Sequence, residues 1–189
     1  LSLFDKTSLD PISELEKIEL LKKLIDGFEK NNPLKRYRGD VYFEMSNLAK
    51  LFSAMKKEGW TSQYLIERID AYIQEIPFRD EFIYKRKYKQ FEAGALKQGL
   101  VDVELEKMSK LKAAVNCFDI YQELMKSHNR YDFDDMINWV LKAFNENKNL
   151  LAQYQERYLY ILVDEFQDTS GTQNALIKLL VNYWEQPNL

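Results

Sequence analysis

One run, Tyr158–Val163 (YLYILV), is continuously apolar and rich in β-branched and aromatic side chains. That is the composition of a strand buried on both faces of a parallel sheet. No second convincing run of this kind occurs in the 189 residues, so the chain does not supply the strand's parallel neighbours. Everything before it carries helical spacing. With only 6 Gly and 4 Pro as punctuation, the sequence reads as long helices and not as many-turned β architecture. The expected fold class is mainly α: a multi-helix body, then one strand–turn–helix piece of an incomplete α/β domain whose sheet lies elsewhere.

The helical body is well punctuated. Asp10 is expected as N-cap and Pro11 as first residue of a helix carrying Ile12, Leu15, Ile18, Leu21, Ile25 and Phe28, stopped at Asn31–Pro33. A second helix carries Leu48, Leu51, Phe52 and Met55 and closes at Gly59. Thr61 or Ser62 caps a third, with Leu65, Ile69, Tyr72 and Ile76 facing inward and Pro77 ending it. After a break at Gly94–Gly99, a long helix runs from Val101 to about Lys126. Asp132 caps the next, with Phe133, Met136, Ile137, Val140, Leu141 and Phe144 at helical spacing. Ser170–Gln173 fits the S-x-x-Q capping box ahead of the helical run NALIKLLVNYW.

Several classes of function are disfavoured. Cys117 is the single cysteine and His128 the single histidine, so neither an intrachain disulfide nor a zinc site can form. Cys117 sits in a helical apolar pattern as a small core residue, and His128 lies in a polar connector with no chemical partner. A reduced, cytoplasmic setting is expected. No membrane partner is expected, because no apolar run approaches the roughly 20 residues a bilayer requires. The net charge of −3 argues against a general nucleic-acid coat but leaves room for local basic faces. One such face is Arg79–Gln90 (RDEFIYKRKYKQ), where Arg86 and Lys87 are candidate DNA contacts. Its aromatics, Tyr84 and Tyr88 with the following Phe91, stand at i, i+4 and i+7 and read as one buried helical stripe. The loop KRYR offers Lys35 and Arg36 as a second candidate.

The apolar run ends on Asp164–Glu165, with Asp168 close behind. Ligands of open α/β sheets sit outside the carboxyl ends of the strands. Magnesium takes one or two carboxylates together with substrate phosphates and water, and a second acid can orient and deprotonate an attacking water. That is a Walker B pattern. The competing reading makes these acids turn residues and helix caps.

The longer string VDEFQDTS resembles motif II of the UvrD/Rep family of superfamily 1 DNA helicases, and YDFDDMINWVLKAF resembles the D-F-D-D-[LM] helix that precedes it. The two stand in the family's order and cover Tyr131 to about Trp184. The resemblance implies that residues 1–130 form a helical accessory (1B-like) domain. Residues 131–189 would be the return into the first RecA-like ATPase domain. It implies that Asp164 holds the magnesium of Mg-ATP through water and that Glu165 is the catalytic base. Gln167 would sense the γ-phosphate and couple it to movement, and Asp168 and Thr169 would shape the turn. Asp134 and Asp135 read equally well as first-turn acids. The implied partners are DNA, as duplex or single-strand/duplex junction, and the rest of the parent helicase, which would move 3′ to 5′.

A phosphate-binding loop is missing. GALKQGLV (Gly94–Val101) has the glycine spacing of G-x-x-x-x-G-K-[ST] but places Leu100 and Val101 where Lys and Ser/Thr are required. In the family this loop lies upstream of the helical insertion, and both ends of the sequence read as cut. The expectation is an excised helicase fragment: ATP and Mg²⁺ serve the full-length parent, and neither binds tightly to this chain or turns over on it. Two alternatives stay open, a helicase–nuclease subunit of the AddA/RecB kind and a non-catalytic helical interaction module. A stand-alone metal hydrolase lacks a second cluster of acids.

Overall fold

A computed structural model describes residues 9–36, 38–158 and 160–182. In chain order the elements are β1 (Asp10–Pro11), α1 (Glu14–Asp26), α2 (Met45–Glu58), α3 (Ser62–Glu75), α4 (Gln98–Ser127), β2 (Arg130–Tyr131), α5 (Phe133–Glu146), α6 (Lys148–Arg157) and α7 (Gly171–Val181). Short 3₁₀ turns occupy Ile76–Phe78, Asp80–Phe82 and Phe166–Asp168. The mainly helical class expected from the spacing holds. No helix among the described residues is long and apolar enough to cross a membrane. The chain divides into two compact units: Leu1–Lys17, Ala49–Trp60 and Leu124–Leu189 form one, and Ile18–Leu48 with Thr61–Glu123 the other.

In the first unit, β1 and β2 pair in parallel, Asp10 opposite Arg130 and Pro11 opposite Tyr131. This pairing corrects the expected start of α1. Asp10 and Pro11 are extended, and the helix is opened by Ser13 instead. Ser13 Oγ accepts from Glu16 N–H (3.3 Å), and Glu16 Oε2 accepts from Ser13 N–H (2.9 Å). That reciprocal pair is a capping box. Arg130 reinforces it, its Nε 2.8 Å from Glu16 Oε1 and its Nη1 3.2 Å from Asp10 Oδ2. The expected apolar stripe shifts accordingly: Leu15 is 75% exposed, while Leu20, Leu21, Leu24 and Ile25 are buried in the second unit.

The core of the first unit comprises Phe52, Met55, Met125, Phe144, Leu151 and Val181. Each such apolar side chain contributes about 1.5–3 kcal/mol when fully removed from water. Helices α5, α6 and α7 pack on one another, and Gln155 Nε2 donates to Leu179 O (2.7 Å) between the last two. Not every apolar position of α5 is core. Phe133, Met136 and Val140, at helical spacing, remain exposed.

The strand expected over residues 158–163 does not form among the described residues; Leu159 lies outside them, as do Tyr183 and Trp184 beyond α7. Tyr160 and Leu162 are exposed while Ile161 and Val163 are half-buried, the alternation of an extended chain. The physical reason is the absence of neighbours, since a strand is defined by ladder partners. The β1–β2 pair is the only named sheet among the described residues.

In the second unit, Thr61 caps α3 by accepting from Tyr64 N–H (3.1 Å). Ile76, Phe82 and Val101 form a buried cluster with Tyr72 and Ile73 against it. Cys117 is buried, with Sγ 3.1 Å from Ala113 O, and burial pushes its thiol up to about 11. It is a core residue, as its pattern indicated.

Candidate nucleotide-hydrolysis site

The segment Asp164–Asp168 is an exposed loop with a constrained backbone. Glu165 adopts φ 52° and ψ 46°, the left-handed region that non-glycine residues rarely enter. Such a conformation costs about 1 kcal/mol and persists where its surroundings impose it. Here Asp164 Oδ1 accepts from Glu165 N–H (3.0 Å), Glu165 O accepts from Asp168 N–H (2.9 Å), and Phe166 O accepts from Thr169 N–H (3.2 Å). Gln167 Nε2 donates to Glu165 Oε2 and so brings the two side chains together. Thr169 Oγ1 lies 2.7 Å from Phe166 O and 2.9 Å from Asn174 Oδ1. Its single proton serves one of them.

Asp164 and Glu165 therefore stand adjacent and exposed, each with one carboxylate oxygen engaged locally and the other open to a ligand among the described residues. Among those residues no group of three or more His, Cys, Asp or Glu could hold a metal ion. This donor set suits magnesium, which uses one or two carboxylates plus phosphate oxygens and water. It does not suit a metal that needs an all-protein cage.

The loop leads directly into α7 through the expected capping box, Ser170 Oγ accepting from Gln173 N–H (3.3 Å) and Gln173 Oε1 from Ser170 N–H (2.9 Å). The end of α2 seats that helix. Thr172 Oγ1 donates to Lys57 O (2.8 Å). A Cβ on Gly171 would come within 2.7 Å of Glu58 Oε2, 3.2 Å of Glu58 O and 3.3 Å of Glu58 Cα, so a side chain there would require Glu58 to give way.

The same stretch holds α5. Lys56 Nζ lies 2.7 Å from Asp132 Oδ2 and 2.8 Å from Asp135 Oδ1. Asp132 and Asp135 also cap the helix for each other, Asp132 Oδ1 accepting from Asp135 N–H and Asp135 Oδ2 from Asp132 N–H, both at 3.0 Å. Burial is the largest influence on both acids. It holds Asp135 above the ordinary carboxylate range, whereas at Asp132 the Lys56 ammonium and the local hydrogen bonds outweigh it and hold the acid below. Asn138 Nδ2 donates to Lys56 O (3.0 Å) and Asp134 Oδ2 accepts from Ser53 Oγ (3.4 Å). The first-turn acids of α5 are thus ligands of α2 as well as dipole partners. Sequence reasoning missed Lys56. A lysine mid-pattern in an apolar helix face was the available signal.

The candidate DNA contacts lie in the second unit. The stripe expected of Tyr84, Tyr88 and Phe91 is a hairpin and not a helix. Ile83 pairs with Leu96 and Tyr88 with Phe91, antiparallel. The three rings do come together, Tyr84 lying 5.9 Å from Tyr88 and 5.1 Å from Phe91 between centroids. They are not core, since Tyr88 is 53% exposed. Arg86 is exposed and has no ion-pair partner among the described residues, whereas Lys87 pairs with Glu92 at 2.5 Å. Lys35 donates to Phe28 O, and Arg36 stacks on Phe43 (3.5 Å to the centroid) while meeting Glu44 at 3.3 Å. Tyr37 of that loop lies outside the described residues.

The chain is 27% identical over 165 residues to the ATP-dependent DNA helicase Rep of Buchnera aphidicola, covering 87% of this chain and 22% of that protein. It is 38% identical over 66 residues to ATP-dependent DNA helicase Rep of Escherichia coli, covering 35% and 10%. Against exonuclease/helicase subunit RexA of Lactococcus lactis it is 26% identical over 138 residues, covering 73% and 10%. The chain thus spans between 10% and 22% of the length of these curated relatives. The sequence model of the UvrD/REP helicase N-terminal domain matches residues 5–186, nearly end to end, and the chain belongs to that family.

Proposed function

We propose that this chain is part of an ATP-dependent DNA helicase and carries its hydrolytic carboxylates. Residues 1–130 form the helical accessory domain, and residues 131–189 the return into the first RecA-like domain. The observation that carries the reading is VDEFQDTS on a loop where Asp164 and Glu165 stand exposed side by side, seated at the start of α7.

When bound, Mg-ATP supplies the phosphoryl group and the cation that neutralises charge on its oxygens. Asp164, with one carboxylate oxygen free of the local hydrogen bond, would hold the magnesium through water. Glu165 would accept the proton of the attacking water through its free carboxylate oxygen, on a backbone held in the left-handed region. Gln167, hydrogen-bonded to Glu165, would register the γ-phosphate and pass its loss onward. Because no G-x-x-x-x-G-K-[ST] stretch occurs in the 189 residues, this chain does not turn over ATP alone. In the parent, DNA is the track, as duplex or junction, met by basic positions such as Arg86 and Lys87, with Lys35 and Arg36 as a second candidate.

Similarity to RexA over 73% of the chain favours a second reading, a helicase–nuclease parent of the AddA/RecB kind, with the same roles for Asp164 and Glu165. The test is ATP hydrolysis by the full-length protein with and without Glu165→Gln. DNA-stimulated turnover should fall by about a thousandfold or more, the scale of losing a catalytic base together with its positioning, with nucleotide binding retained. Unchanged turnover would sink the assignment. DNA degradation by the same protein would select the helicase–nuclease parent.

A further inference from the structure

The hairpin over residues 83–96 presents the rings of Tyr88 and Phe91 to solvent. Its base is firmly anchored: Phe82 is buried, Lys97 N–H donates to Phe82 O (2.8 Å), and Lys97 Nζ reaches Glu81 O (2.9 Å). Tyr84 N–H donates to Ala95 O (2.9 Å), and Tyr88 and Phe91 exchange both backbone bonds at 2.9 Å around the two-residue turn Lys89–Gln90. On this frame the Tyr84 ring stacks within 11° of parallel on Tyr88 and within 9° on Phe91. Tyr88 is 53% and Phe91 37% exposed. A rigid backbone thus holds nearly parallel rings half in water.

The charge around them is one-sided. Residues 83–97 contain Lys85, Arg86, Lys87, Lys89 and Lys97 against the single acid Glu92, in a chain whose net charge is −3. The Lys89 ammonium lies 5.3 Å from the Tyr88 centroid. Lys85–Asp80 and Lys87–Glu92 are ion pairs with both partners largely exposed, which hold weakly in water and yield readily to a phosphate. Arg86 is exposed and carries no pair among the described residues.

We propose, resting on the nucleic-acid reading above, that this hairpin is a stacking platform for unpaired bases and that the chain binds single-stranded nucleic acid through it. The cations follow the phosphates and Tyr88 receives a base face, the combination by which single strands are held without sequence preference. A duplex offers the same phosphates but hides its base faces. Tyr88 therefore discriminates single strand from duplex, while Arg86 does not.

The test is fluorescence anisotropy of the 189-residue chain with labelled oligo-dT of about 12 nucleotides, within the usual site size, and a blunt duplex of equal length. No ATP is present, so the outcome is independent of Asp164 and Glu165. Turnover lost in Glu165→Gln of the full-length protein stands whatever the hairpin does. Oligo-dT binds more tightly than duplex, and Tyr88→Ala weakens oligo-dT binding about tenfold while leaving duplex binding within about twofold. Tyr88→Trp restores it. Arg86→Ala lowers the salt dependence on both probes by about one phosphate contact, and as an exposed, unpaired position it keeps the fold if Tyr88→Ala does not. Equal binding of the two probes, an equal loss on both in Tyr88→Ala, an unchanged salt slope in Arg86→Ala, or no binding at low salt overturns the proposal.

Discussion

Lys56 Nζ stands 2.7 Å from Asp132 Oδ2 with its own side chain only 2% exposed. Asp135 completes a triad of one cation and two acids that ties the end of α2 to the start of α5. Such groups add little net stability over an apolar replacement but are costly to break one-sidedly.

Lys56→Met should therefore destabilise the chain by about 3 kcal/mol, leaving two acids facing each other without a cation. Asp132→Asn should cost more than Asp135→Asn. The low Asp132 pKa marks an ionised acid that stabilises the fold above its unfolded pKa, a contribution lost as pH falls through the folded value. Asp135 has the opposite sign. Its raised pKa favours the fold at low pH, and that gain is lost as pH rises, so a neutral amide there relieves part of the strain at pH 7. Urea midpoints of the three variants decide the order, and a larger cost at Asp135 would contradict it.

Acid sensitivity should depend measurably on Glu16. The Ser13 N–H, then the Ser13 hydroxyl, then Arg130 hold its carboxyl down to about 2 from an ordinary 4.5. A depressed folded pKa gives stability that is complete above about pH 4.5 and lost on descending to about 2. Glu16→Gln should be less stable than the parent at neutral pH, and the two curves should converge below that window. Parallel curves down to pH 2 would show that Glu16 carries no linkage.

The seat of α7 on α2 should be sensitive to a single methyl group. Gly171→Ala presses a Cβ against Glu58 O and Cα at 3.2 and 3.3 Å, and the Glu58 carboxylate must also move. A net loss of about 1 kcal/mol is expected, overpacking outweighing the better helix propensity of alanine. Thr172→Val, which leaves Lys57 O without its donor, should cost about the same. Thermal melts check both, and a stabilised Gly171→Ala would mean the two helices are not in close contact.

Glu165 should prove dispensable for folding. Glycine at that position removes about 1 kcal/mol of left-handed strain and adds a similar chain entropy to the unfolded state. Glu165→Gly should keep the chain's stability within about 0.5 kcal/mol, as those two terms cancel, while abolishing hydrolysis by the full-length protein. A marked drop in melting temperature would make the residue structural.

Leu162 and Tyr160 are 93% and 82% exposed on an extended segment, and an unpaired apolar edge of this kind favours association. The sedimentation coefficient of the chain should rise with concentration, and Leu162→Asp should flatten that rise without changing the melting temperature. A concentration-independent coefficient in the parent chain would rule the contact out.

What the sequence determined by itself was whatever depends on neighbours within about four residues. The caps at Thr61, Asp132 and Ser170, the close of α2 at Gly59, and the acids of VDEFQDTS were all legible, because side chain and backbone partner lie in one turn. Tertiary structure decided the rest. Asp10 and Pro11 could cap a helix or extend, and pairing with Arg130 and Tyr131, 120 residues away, chose extension and handed the cap to Ser13. Tyr84, Tyr88 and Phe91 sit at a spacing that suits one face of a helix and equally two arms of a hairpin, and the backbone ladder to Ala95 settled it. Lys56 takes its role from Asp132 and Asp135, which meet it across more than 70 residues. The run from Tyr158 to Val163 has the composition of a strand, but a strand exists only through its neighbours, and among the described residues this chain brings it none.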